Sequence, residues 1–176
     1  IINDKNSLQP KNSKNYWKEI YEKNYKNIPL FKSNTKEFIC DLKDAFIKTH
    51  EDLESMKNYN FENSGTTCCT VLVYGKSVYC MNVGDSRAII GKNINDKWTS
   101  IHLSVDQKPD REDEYKRIID SNGRVEAFKD GNDEFYGPKR VWLKDKDIPG
   151  LAVSRSIGDI IASSVGVIHE PGKILF

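Results

Sequence analysis

The sequence predicts an α+β protein in which an antiparallel β-meander lies against a long amphipathic helix. Three observations carry this expectation. Phe38, Ile39, Leu42, Ala45, Phe46, Thr49, Leu53 and Met56 recur at helical spacing and trace one face of a helix. Cys68 to Tyr74 and Ser77 to Val83 are two strand-like runs around Gly75-Lys76, the signature of a tight hairpin. After Asp110 the chain turns helical again, with Glu112, Asp113 and Glu114 in the first turn, where the helix dipole favours negative charge.

At 176 residues the chain is long enough for one domain with a real core. Hydrophobic residues make up 38% and charged residues 30%, inside the globular range. The formal charge is +1, from 27 basic and 26 acidic residues, so no global field argues for nucleic acid or an anionic membrane. No stretch approaches the roughly 20 apolar residues of a membrane span. Cys40, Cys68, Cys69 and Cys80 show no Cys-x-x-Cys spacing, and adjacent Cys68 and Cys69 would point to opposite faces of a strand. They read as reduced thiols of an intracellular protein, cytoplasmic or nuclear.

Taken in order, residues 1–34 are rich in Asn and Lys and read as a polar insert or linker. Within them Trp17, Ile20, Tyr21 and Asn24 have the spacing of a short amphipathic helix. Residues 35–176 form the folded part. Asn34, with Glu37 three residues on, makes a capping arrangement for the long helix. On the strand from Ser77 to Val83, Val78 and Cys80 face one way while Tyr79, Met81 and Val83 face the other. Both sets are apolar, so both faces of this sheet are expected to be covered. Gly84-Asp85 turns the chain into a strand from Arg87 to Gly91, and Trp98 to Leu103 adds another. Asp110 then caps the second helix, Tyr115, Ile118 and Ile119 supply its buried stripe, and Asn122-Gly123 ends it. Residues 128–150, with Gly131, Gly137, Pro138 and Pro149, read as a long loop, and loops longer than about 15 residues in a compact domain are commonly functional or disordered. Trp142 either anchors that loop by burying its ring or belongs to a strand that completes the core.

Asp106 is the foremost candidate for chemistry. It lies between a strand and a helix, where a side chain can point into a cleft; the plainer reading is that it organises the turn to Pro109. Asp85 and Asp159 each follow a glycine and suit tight turns, in which a short carboxylate accepts backbone N–H bonds. Arg87 and Arg155 have the fork geometry to grip a phosphate, but pairing with nearby carboxylates is the expectation. His50, His102 and His169 lack a carboxylate at useful spacing and read as surface or core histidines. Ser64 to Thr67 has one glycine, too few to wrap a phosphate as a P-loop does.

Read together, Ser64-Gly65-Thr66-Thr67, Asn82-Val83-Gly84-Asp85-Ser86-Arg87, Leu103-Ser104-Val105-Asp106-Gln107-Lys108-Pro109, Pro149 through Asp159 and Gly166 through Pro171 resemble the metal-dependent type-2C (PPM family) protein serine/threonine phosphatases. The resemblance covers roughly residues 36–173. It implies a two-sheet antiparallel β-sandwich flanked by helices, present here only in part. It also implies hydrolysis of phosphoserine and phosphothreonine on proteins by metal-activated water, with magnesium or manganese, two or more ions in the complete domain. By this resemblance Asp106 binds a loosely held third ion, whose preference for oxygen ligands and water lets one or two carboxylates suffice. Asp85, Asp159, Arg87 and Arg155 would serve structure, and residues 128–150 match in position the family's flap. Gln107 departs from the family pattern, which has His there.

Uncatalysed phosphate-monoester hydrolysis needs rate enhancements up to about 10²¹. A two-metal centre answers this by acidifying water and clamping the phosphoryl oxygens. In the family that centre draws on an Asp-Gly-His-Gly motif expected before residue 1, an Asp-Gly-x-Trp-Asp motif expected soon after Phe176, and a later Asp-Asn motif. None of them occurs in this sequence. No catalytic residue is therefore assigned within it. The expectation is a phosphatase acting on phosphoproteins whose isolated central portion is inactive; the alternative is a pseudophosphatase acting as a partner-binding module. Half a sandwich leaves strand edges and an apolar face unpaired, so self-association is expected.

Overall fold

In the computed structural model, which describes residues 35–56 and 58–175, the long helix is α1 (Thr35–Ser55). Phe38, Ile39, Leu42, Phe46, Ile47 and Leu53 are half-buried along its inner side, and His50, 3% exposed, is its most buried residue. The stripe is thus rotated slightly from the expected one. Ala45 and Thr49 face solvent, and Met56 lies exposed beyond the helix end. Phe38 meets the ring of Tyr79 edge-on at 5.1 Å and that of Tyr74 at 5.7 Å. The spacing at Trp17, Ile20, Tyr21 and Asn24 and the cap at Asn34 lie outside the described residues.

After a two-residue strand, β1 (Gly65–Thr66), the expected hairpin forms. β2 (Cys68–Tyr74) pairs antiparallel with β3 (Ser77–Val83), Cys68 opposite Val83 and Tyr74 opposite Ser77. Tyr79 to Val83 are buried on both faces of β3. Cover on both sides does not extend to β2, where Val71 is 44% and Val73 69% exposed. The expected meander also breaks. Gly84 (φ +96°) turns the chain out of the sheet, and β4 (Ile89–Ile94) pairs only with β5 (Lys97–His102), as a separate, mostly exposed hairpin. Its turn residues Asn95 and Asp96 both have positive φ, which matches the twist of a two-residue hairpin.

α2 (Glu112–Asp120) starts later than expected: its N-cap is Arg111 rather than Asp110, and no side chain caps it. The buried stripe differs too. Glu114 and Ile118 are fully buried, whereas Tyr115 and Ile119 are each 41% exposed. Glu114 lies one helical turn before Ile118, so both point the same way; Arg117 of the same helix and Arg155 of a distant segment let the charge occupy that position. Asn122, with φ +61°, ends the helix in the left-handed conformation expected of it.

The largest correction concerns residues 128–150, which are not a loop. β6 (Gly123–Lys129), β7 (Phe135–Leu143) and β8 (Lys146–Leu151) make a three-stranded antiparallel sheet in that order. The misleading glycines and prolines are absorbed by irregularities. Register shifts fall at Glu126/Phe128 and on both sides of Trp142, and Gly137 takes positive φ within β7. Trp142 belongs to the strand rather than to a loop anchor. It is 5% exposed, its indole N–H donates to Glu126 O at 3.0 Å, and its ring meets Phe128 edge-on at 5.2 Å. Gly150 closes over it: φ is +73°, and an added Cβ would stand 2.8 Å from the Trp142 ring. Ile118, Val125, Val141, Val165, Val167 and Ala162 of the short helix α3 (Ile160–Ser163) form the core beneath this sheet. Two further strands pair across the chain: β9 (Ile157–Gly158) with β1, and β10 (Gly172–Leu175) with the free side of β3.

Candidate functional site

The segments singled out in the sequence converge on one hydrogen-bonded lattice. At the end of β3, Gly84 N–H donates to Gln107 Oε1 at 2.6 Å, and Gln107 N–H donates to Gly84 O at 3.1 Å. Gln107 Nε2 reaches Asn82 O at 3.0 Å. Asn82 Nδ2 donates to Gly84 O at 2.9 Å. Gln107 is 2% exposed, so these bonds are made away from water, where leaving any of them unmade is costly. On the far side Ser154 N–H donates to Gln107 O at 3.1 Å, tying in the segment before β9. Gly84 has no room for a side chain: a Cβ would lie 2.3 Å from Thr67 Cγ2. The residue that departs from the family pattern is therefore the one that fastens three segments together.

This lattice presents Asp106. Its backbone oxygen accepts from Arg111 Nη1 at 3.4 Å, and its carboxylate is gripped by Arg87 through Nε–Oδ1 at 2.9 Å and Nη2–Oδ2 at 2.6 Å. Hydrogen bonds from Arg87 hold the Asp106 carboxyl below its ordinary pKa, so it is an anion across the physiological range. Asp85, half-buried, stands 3.8 Å from Lys108 Nζ. Asp159 is 6% exposed and accepts from Ser156 Oγ at 2.5 Å, while its N–H donates to Ser64 O at 2.8 Å. Asp159 takes positive φ at the turn into α3, but its carboxylate accepts the Ser156 hydroxyl rather than a backbone N–H, and Asp85 faces Lys108. The short pairing of β1 with β9 accounts for Ser64 to Thr67.

Glu114 is the feature the sequence reading missed. It accepts from Arg155 Nε at 3.0 Å, Arg155 Nη2 at 2.6 Å and Arg117 Nη2 at 2.5 Å. Burial works to raise its pKa, but the bonds from Arg155 and Arg117 overcome this and leave it lowered. The available signal was its place one turn before Ile118, together with an arginine in the Ser-Arg-Ser segment that needed a partner. A cavity of about 350 Å³ adjoins the lattice, with Asn82, Ser104, Gln107, Arg111 and Arg155 among its lining, and Asn82 Oδ1 is buried there without a partner.

Of the histidines, only His102 comes near this site, where it adds to the lowering of the Asp106 pKa. His102 ends β5 in an exposed position. His50 and His169 stack at 3.9 Å and 15°, and His50 Nδ1 accepts Gly158 N–H at 3.2 Å. Among the described residues no group of three or more His, Cys, Asp or Glu is placed to hold a metal ion. Asp106 offers one hard oxygen ligand to a divalent cation, not a complete centre. All four cysteines are free, and burial, with Cys69 beside it at 4.0 Å, pushes the Cys80 thiol up to about 12.

Residues 10–173 match the family model described as protein phosphatase 2C, starting well upstream of the expected residue 36. The chain is 37% identical over 164 residues to probable protein phosphatase 2C 73 of Oryza sativa subsp. japonica, covering 90% of this chain and 38% of that protein. It is 39% identical over 143 residues to probable protein phosphatase 2C 35 of Arabidopsis thaliana, covering 73% and 41%. Among solved structures, a serine-threonine phosphatase 2C from Toxoplasma gondii superposes with TM-score 0.68 at 21% identity, over 91% of this chain and 53% of that one. The chain thus spans about two fifths of the length of these two curated relatives.

Proposed function

The chain belongs to the protein phosphatase 2C family, and on that premise we propose that the whole protein hydrolyses phosphoserine and phosphothreonine on protein substrates. The observation that carries this is the lattice of Gly84, Gln107 and Ser154, which joins three of the family-like segments and holds up Asp106 between them. The family is metal-dependent. We assign magnesium or manganese to this protein, with Asp106 as one oxygen ligand and the remaining carboxylates supplied from outside the described residues. When bound, such ions supply charge neutralisation at the phosphoryl oxygens and a lowered pKa for water. The residues of this chain contribute placement: Gly84 holds Gln107 after Asp106, Asn82 Nδ2 donates to the Val105 carbonyl before it, and Arg111 fixes the Asp106 carbonyl. Residues 35–176 are read as part of the catalytic domain and residues 1–34 as an insert or linker. The four free thiols support an intracellular setting.

The test is phosphatase activity on a phosphothreonine peptide, with and without manganese, for the whole protein beside the 176-residue chain. Manganese-dependent turnover is expected in the whole protein, and none in the chain alone. Asp106→Asn in the whole protein should lower activity at limiting manganese by roughly tenfold or more, the scale on which perturbed metal sites respond. Silence of a folded whole protein would favour a pseudophosphatase, and turnover by the chain alone would overturn the assignment of ligands outside it.

A further inference from the structure

Two of the free thiols are placed to react with each other. In the β2–β3 register Cys69 stands opposite Asn82 and Cys80 opposite Val71, so Cys69 and Cys80 are diagonal neighbours on one face of the hairpin. Their sulfurs are 4.0 Å apart, in contact but unbonded. Cys68 points to the other face, its sulfur 3.6 Å from Thr70 Oγ1, and Cys40 is exposed on α1. Cys69 is half-buried and Cys80 is 1% exposed, so a small reagent reaches the pair through Cys69. A disulfide needs its Cα atoms within about 6.8 Å, closer than the roughly 7–8 Å of diagonal neighbours. Joining the two sulfurs therefore draws the strands together. β2 is free to follow, because it is the edge strand of its sheet and among the described residues pairs only with β3. The pull falls on Asn82, which shares the face of Cys80 and stands opposite Cys69. Its side chain donates to Gly84 O and Val105 O, and its carbonyl accepts from Gln107 Nε2.

We propose that Cys69 and Cys80 are an oxidative modification site, a reversible disulfide made by exchange with a low-molecular-weight disulfide, and that its closure displaces Asn82 and the lattice at Gln107. The Cys69 thiolate attacks the small disulfide, forms a mixed disulfide and releases one small thiol. The Cys80 thiolate then attacks the Cys69 sulfur and releases the second. The protein loses two electrons and two protons, the S–S bond of the oxidant breaks, and the protons end on the two released thiols. Burial first, then the charge and hydrogen bond of Cys69, raise the pKa of the Cys80 thiol, so Cys69 attacks first. Capping Cys69 removes that charge and hydrogen bond, which eases the second step. Excess small thiol drives both exchanges backwards.

The test treats the reduced 176-residue chain with glutathione disulfide, alkylates the remaining thiols and digests the monomer band with trypsin. Cleavage at Lys57, Lys76 and Arg87 puts Cys69 and Cys80 on separate peptides, 58–76 and 77–87. The two peptides should be linked in wild type and in Cys68→Ser, and the link should be lost in Cys69→Ser. In Cys80→Ser glutathione should instead remain on Cys69. Dithiothreitol should return both thiols, and in urea Cys68 should link to Cys80 as well as Cys69 does. Amide spectra of the isotopically labelled chain report whether each variant is folded. On oxidation the resonances of Asn82, Gly84 and Gln107 should shift in wild type, in step with the link, and stay in place in Cys69→Ser. Thiols at Cys69 and Cys80 that both survive the treatment overturn the disulfide. So does glutathione on Cys69 with Cys80 left free, or an equal yield through Cys68 in the folded chain. A link formed without shifts at Asn82, Gly84 and Gln107 overturns its coupling to the lattice.

Discussion

A carboxylate with no exposed surface is the most consequential single residue in this fold. Glu114 brings a negative charge into the interior, and Arg155 and Arg117 surround it there. Removing one partner from such a cluster leaves the others buried and uncompensated, which is worse than never having built it. Glu114→Ala should therefore cost about 3–5 kcal/mol, read as a lower midpoint in urea unfolding. Glu114→Gln, which keeps the shape and some hydrogen bonds, should cost less; equal losses would mean that charge rather than packing sets the penalty. Gln107 poses the complementary case of a neutral buried side chain with both ends used. Its tight contact with Gly84 was not readable from sequence, because nothing in Val105-Asp106-Gln107 shows which segment lies opposite.

At the scale of elements, two attachments hold the described structure in register. The first joins α1 to the turn before α3, where His50 stacks on His169 and accepts the Gly158 N–H. An acceptor nitrogen must be neutral. Burial lowers the pKa of both rings below 6.5, with His169 adding to the effect at His50, while Glu51, Glu54 and, for His169, Glu170 oppose it. Because the folded values are lowered, the unfolded chain binds protons first as pH falls. This contribution to stability is present above about pH 6.5 and is lost as pH drops below it towards the folded values. Urea midpoints should accordingly fall between pH 7.5 and pH 5, and His50→Gln should flatten part of that slope. The second attachment is Trp142 beneath Gly150. Gly150→Ala forces a methyl group into the indole ring at a backbone angle few residues tolerate, and should cost about 1–3 kcal/mol. A melting temperature unchanged by that substitution would show that the ring has room to move.

At the scale of the whole molecule, apolar surface remains uncovered. Val71 and Val73 on β2, Ile89 and Trp98 on the β4–β5 hairpin, and Phe135 and Tyr136 on β7 are all exposed. Strand edges and apolar patches of this kind favour pairing with another chain. Self-association of the 176-residue chain should appear as a concentration-dependent sedimentation coefficient, and a monomer at every concentration would contradict it. The sequence by itself determined the features that depend on neighbours along the chain. These are α1, the β2–β3 hairpin over Gly75-Lys76, the end of α2 at Asn122, and the ordered segments that carry the family. Periodicity and turn chemistry act over a few residues, so one chain suffices to read them. Only the tertiary structure decided which groups meet from distant parts of the chain. It buried Glu114 instead of Tyr115, stacked His50 on His169, set residues 128–150 as strands around Trp142, and placed Arg87 on Asp106. A charge enters a core, and an irregular run becomes a strand, when a distant segment supplies the partner that makes burial favourable; local spacing carries no record of that partner.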